Sequence, residues 1–210
     1  MPRPSRRRAI KGARTKGHIV DRALELASRE GLNGLTIGIL AEQVGMSKGG
    51  LFAHFQSKEE LQRQVLREAI DRFRAAVVEP TLAREPGAPR LRALLDRWIA
   101  WDDDERMPGG CPFVGFAAEL DELEEKGGGA RDMLAEAQTQ WLAFLARLAR
   151  EAVQAGHLRP RIDAELFAFQ LQGILLSYHQ LHHLLRHPRA KARARAALKA
   201  LSAAYAPAKA

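Results

Sequence analysis

A chain of 210 residues can bury a substantial core, as one large domain or as a small domain joined to a larger one, and its 46% hydrophobic and 28% charged content is that of an ordinary globular protein. The net charge of +8 is concentrated at one end: Arg3, Arg6, Arg7, Arg8, Lys11, Arg14 and Lys16 precede His18 with no acid among them, which suits a nucleic acid, a membrane surface or simply a solvated tail. The lone cysteine, Cys111, excludes an internal disulfide and fits a reducing cytoplasm, no apolar run follows the basic N-terminus as a secretory signal would require, and the most apolar stretch, 166–185, is too interrupted by glutamine and histidine to span a membrane.

Residues 1–14 read as a flexible basic arm. Thr15 is placed to cap a first helix carrying Ile19, Ala23, Leu26 and Ala27 on one face, and Gly31, free to take positive φ, ends it. Thr36 caps a short second helix, Gly45 turns the chain, and Ser47 caps a third helix of about two turns that ends near Phe55. Ser57 and Glu60 have the spacing of a capping box ahead of a fourth helix through Leu61, Val65, Ala69, Phe73 and Val77, which Pro80 is expected to stop.

Beyond a loop at 81–89, helices are predicted at about 90–105 and through Phe113, Phe116 and Leu120, separated by a Pro/Gly connector containing Cys111. Gly127, Gly128 and Gly129 form a flexible break before a long helix at about 130–155. Another, capped by Asp163, is apolar on several sides and so needs more than one neighbour, and a basic helix at about 189–204 closes the chain. Strand-like alternation is absent throughout. The fold class is all-α: a three-helix head at 15–60 on a helical bundle at 61–210.

Two short helices joined by a glycine turn, the second capped by serine, have the geometry of a helix-turn-helix. Ser47, Lys48, Gly49, Gly50, Phe52 and His54 form its exposed start, where small residues permit close approach to a groove and backbone N–H groups and Lys48 suit phosphates.

The run from Gly31 to Ile37 (Gly-Leu-Asn-Gly-Leu-Thr-Ile) and from Ala41 to Leu61 (Ala-Glu-Gln-Val-Gly-Met-Ser-Lys-Gly-Gly-Leu-Phe-Ala-His-Phe-Gln-Ser-Lys-Glu-Glu-Leu) resembles the N-terminal signature of TetR/AcrR-family regulators, over about the first third of the chain. The resemblance implies that Thr36 and Ser47 cap helices aimed at phosphates, that Lys48, Gly49, Phe52 and His54 lie at the DNA surface, and that Lys58 reaches the backbone. Many relatives carry tyrosine at the place of Phe52, whose hydroxyl bonds a phosphate; here that bond is missing. Gly50, where relatives often carry a hydroxyl or alanine, weakens the third helix by about 1 kcal/mol against alanine.

The resemblance also implies a sequence-specific regulator of the repressor type, released from a palindromic operator on double-stranded DNA by a small-molecule effector. It implies a homodimer, for which the last two long helices are the expected contact. The rivals are an activator, and a small-molecule binding protein with a vestigial head.

Trp98, Trp101, Phe113, Phe116, Trp141 and Phe144 are candidates to line an effector cavity in the bundle, as is Phe169. His179, His182, His183 and His187 share one helix, but no acid or cysteine lies near them in sequence, so no metal or other cofactor is expected. Cys111 reads as a buried structural thiol, and Asp102, Asp103, Asp104 and Glu105 as a solvated helix end. The sequence contains no phosphate loop, nucleophile elbow or His-Glu-x-x-His motif, and no catalytic residue is assigned.

Overall fold

A computed structural model describes residues 6–120 and 129–208, all of whose regular structure is helical. Gly127 and Gly128 of the expected flexible break lie outside them, as do residues 1–5 of the arm. The head comprises α1 (Arg6–Gly34), α2 (Ile37–Gln43) and α3 (Lys48–Phe52), and α4 (Lys58–Phe73) leads out of it. The body comprises α5 (Glu79–Leu82), α6 (Ala88–Asp102), α7 (Pro112–Leu120), α8 (Ala130–Gln154), α9 (Ala164–His179) and α10 (Ala190–Ala204).

The first helix begins at Arg6, so Thr15 lies inside it rather than at its cap, and most of the expected flexible arm is helical. Nothing in 6–14 breaks a helix, and the fully buried Ile19, Ala23 and Leu24 anchor the helix that this segment extends. Gly31 (φ 74°, ψ 173°) interrupts α1 as expected, although the chain makes one more turn to Gly34. A Cβ on Gly31 would overlap the Glu119 carboxylate, which accepts the Asn33 backbone N–H at 2.9 Å and so fastens the end of α1 to α7.

Pro80 does not stop the fourth helix. A π turn at Arg74–Val78 follows α4, and the chain continues as α5 with Pro80 in its first turn. Proline is tolerated there because the wider π turn before it relieves the crowding that a proline ring causes in a regular helix. Arg90 then holds the end of α5, donating to the Leu82 and Arg84 carbonyls, and pairs with Glu151 of α8 at 2.6 Å.

The core is continuous from head to body. Leu32, Leu35, Leu40, Leu51, Phe55 and Leu61 close the head, and Trp98, Phe116, Leu145, Phe167 and Tyr178 fill the bundle. Helices α8 and α9 pack along each other, and α10 covers α6 and α9. One face of α9 stays uncovered, leaving Leu166, Phe169 and Leu176 exposed, Phe169 to 73%.

Candidate functional site

At the head, local chemistry places the residues. Thr36 Oγ1 accepts the Ile39 N–H at 3.2 Å, Ser47 Oγ the Gly50 N–H at 3.1 Å and Ser57 Oγ the Glu60 N–H at 3.1 Å, so each short helix starts where its cap residue stands. The capping box at 57–60 is half formed: the Glu60 carboxylate is taken by Arg63 and Gln64. Those two donors hold the Glu60 carboxyl below its ordinary range. Gly45, at φ 66°, makes the turn between α2 and α3.

Thr36, Ser47, Lys48, Gly49 and Phe52 are exposed together on this part of the head, and His54 is half-buried. Phe52, 51% exposed, presents a bare ring to solvent. Lys48 lies against Gly38 at the start of α2. Lys58 Nζ donates to the Asn33 carbonyl at 2.9 Å, so in this state the lysine ties α4 to the end of α1. Behind them the Lys16 ammonium sits 5.6 Å from the centre of the buried Phe55 ring, joining the basic helix to the small domain.

The body holds a half-open cavity of about 540 Å³ between α4, α6, α7, α8 and α9. Trp98, Phe113, Trp141 and Phe144 border it. Trp101 and Phe116 do not: Trp101 turns toward a polar cleft beside Asp21, Arg72 and Arg106, and Phe116 is fully buried core. Phe169 points out of the bundle.

Phe73 is an aromatic wall residue that sequence reasoning took for ordinary core. Its ring meets Trp101, Phe113 and Trp141 edge-on at 5.5, 5.5 and 4.9 Å between centroids. The signal available was only its place on the apolar face of the fourth helix. Polar groups in the wall are few: Arg74, Gln138, Gln140 and Gln172, the last accepting the Trp141 indole N–H at 2.8 Å. Cys111 also borders the cavity, and burial pushes its thiol up to about 12.

Helix α4 belongs to both regions. Leu61 and Val65 are head core, Ile70 and Phe73 are cavity wall, and Arg72 pairs with Asp21 of α1. Helix α7 does the same from the other side, with Phe113, Val114 and Ala117 on the cavity and Glu119 on the end of α1.

Of the acidic run that starts at the last residue of α6, Glu105 alone is exposed as a solvated end would be. Asp102 is fully buried, and Asp103 and Asp104 are partly so. Asp102 Oδ1 accepts the Cys111 backbone N–H at 2.8 Å and lies 2.7 Å from His179 Nδ1, while Oδ2 is 3.1 Å from His183 Nε2. Asp103 takes the Tyr178 hydroxyl at 2.6 Å and pairs with Lys191 and His182. Burial and this carboxylate push the Tyr178 phenol up.

Residues 19–65 match the family model described as bacterial regulatory proteins of the tetR family, and residues 87–198 match that of the tetracycline repressor-like C-terminal domain. The repressor DhaR of Mycobacterium sp. (strain GP1) is 24% identical over 164 residues, covering 76% of this chain and 79% of its own. A TetR regulator from Chloroflexus aurantiacus shares the fold with a TM-score of 0.79 and 23% identity, over 92% of this chain and 94% of that one. AibR, solved with isovaleryl coenzyme A and operator DNA, shares it with a TM-score of 0.69 and 21% identity, over 92% and 98%. With a capped helix-turn-helix ahead of an all-helical body, and models for both parts matched in order, the chain belongs to the TetR family of bacterial transcriptional regulators.

Proposed function

We propose that this regulator is a non-enzymatic, homodimeric repressor that leaves its operator when an apolar small molecule enters the aromatic cavity. The observation that carries the reading is α4: one helix shares its length between the core of the helix-turn-helix and the cavity wall at Phe73, where its π turn begins. A guest beside Phe73 must displace or order that helix, and so the head fixed to it. The guest shifts the equilibrium only by its difference in affinity for the two head positions. A volume of about 540 Å³ falls in the ordinary range for small-molecule sites, and aromatic walls with four polar side chains favour a largely apolar ligand with one polar end.

At the DNA, the resemblance assigns Thr36, Ser47, Lys48, Gly49, Phe52, His54 and Lys58 to the contact. Lys58 would have to exchange the Asn33 carbonyl for a phosphate, or use a second of its three N–H donors. The basic start of α1 adds sequence-independent phosphate contacts. Two copies joined through α9 and α10 would set two heads on successive major grooves of a palindromic site, with the regulator working in the cytoplasm. AibR, bound to both a coenzyme A thioester and operator DNA, supports the pairing of the two kinds of site in this fold.

Fluorescence anisotropy of the full chain on the DNA upstream of its own gene, against a scrambled duplex at two salt concentrations, tests the proposal. Selective binding that apolar ligands reverse is expected. Equal, salt-sensitive binding to both duplexes would reduce the head to a charge effect.

A further inference from the structure

We infer that Asp102, His179 and His183 form a binding site for a divalent transition-metal ion, separate from the aromatic cavity. Asp102 is the last residue of α6, His179 the last of α9, and His183 lies in the π turn at Gln180–Leu184 that follows α9; one potential ligand atom from each lies within 4.8 Å of the others. Two ligands of one tetrahedral zinc ion stand about 3.4 Å apart, so side-chain adjustment is enough to close the three atoms on an ion. Two imidazoles with one carboxylate select zinc, cobalt or nickel over magnesium or calcium, which prefer all-oxygen shells.

Three further features fit a built site. Asp102 is fully buried, which is costly for a carboxylate without strong partners, and the Cys111 N–H holds its Oδ1 from behind at 2.8 Å, the outer contact that orients a metal ligand. Gly110, at φ 81°, lies against both imidazoles; a Cβ there would stand 2.5 Å from His183 Nε2 and 2.8 Å from His179 Cε1. The rings are not sealed off. His183 is 23% exposed and borders a polar pocket of about 480 Å³ with Pro108, His182 and Lys191, which provides entry and room for a water as fourth ligand.

The experiment is titration of the chelator-treated full-length protein with Zn2+ by calorimetry and with Co2+ by visible absorption. The same titrations on His179→Gln, His183→Gln and, as a control outside the triad, His187→Gln complete it, with native circular dichroism required of each. One ion per chain is expected, with Co2+ bands of a low-symmetry nitrogen–oxygen site. Affinity should fall at least about tenfold in His183→Gln and in His179→Gln and stay unchanged in His187→Gln, since losing a direct ligand costs no less than losing an outer contact. If His179→Gln fails to fold, the more exposed His183 carries the test. The proposal is overturned if the wild type takes up no ion, or if the folded His183→Gln protein binds as tightly as the wild type.

Discussion

Lys48 and Lys58 each follow a capping serine, yet the structure uses them differently. Lys48 is exposed and lies against Gly38 of α2, whereas Lys58 holds the Asn33 carbonyl. Lys48→Ala should therefore weaken operator binding evenly across sequences and lower the salt slope by about 1, with thermal stability unchanged. Anisotropy and a thermal melt read both quantities; intact binding with a lower melting temperature would give Lys48 a structural role instead. Cys111 allows a second test at this scale. With its thiol pushed up to about 12, almost no thiolate exists at pH 8, so a disulfide reagent should modify the native protein very slowly and the denatured protein at once. Rapid reaction of the native chain would show that the cavity wall opens.

The short helices of the head start where their side-chain caps stand, but long-range contacts decide how the longer ones end and bend. At Gly31 the backbone conformation is one that only glycine adopts easily, and the position of a Cβ is taken by Glu119 of α7. Gly31→Ala should cost about 1–3 kcal/mol, chiefly from backbone strain because the Glu119 carboxylate can swing away. Thermal unfolding measures the cost, and a change below the precision of the melt would mean that the end of α1 can rearrange freely. The same contact fastens the head to α7, so operator affinity should fall further than stability alone accounts for. At Pro80, by contrast, a local rule that ends helices is outvoted, because the wider π turn before it takes up the crowding of the proline ring.

For the molecule as a whole, the uncovered face of α9 is decisive. Leu166, Phe169 and Leu176 stand exposed on a helix whose other side is buried in the bundle, with α8 and α10 as its main neighbours, an arrangement stable alone only at the expense of wetted apolar surface. Phe169→Glu should convert a dimer into a monomer in light scattering, leave the helical circular dichroism intact and abolish tight operator binding, because two half-sites can no longer be engaged together. A dimer that survives this change would place the contact elsewhere.

The sequence by itself determined what depends on near neighbours. Helix-period apolar residues gave the all-α class, and Thr36, Ser47, Ser57 and Asp163 marked helix starts through hydrogen bonds spanning three residues. Gly31 and Gly45 marked the two positive-φ positions of the head, and the helix-turn-helix followed from these signals alone. Only the tertiary structure decided which of seven aromatic residues surround a cavity, because a core face and a cavity face have the same helical period. Only it brought Asp102 to His179 and His183 across 77 and 81 residues, turning an expected solvated acid into the buried centre of a cluster. Local periodicity reports which face of a helix is apolar, and packing decides what that face meets.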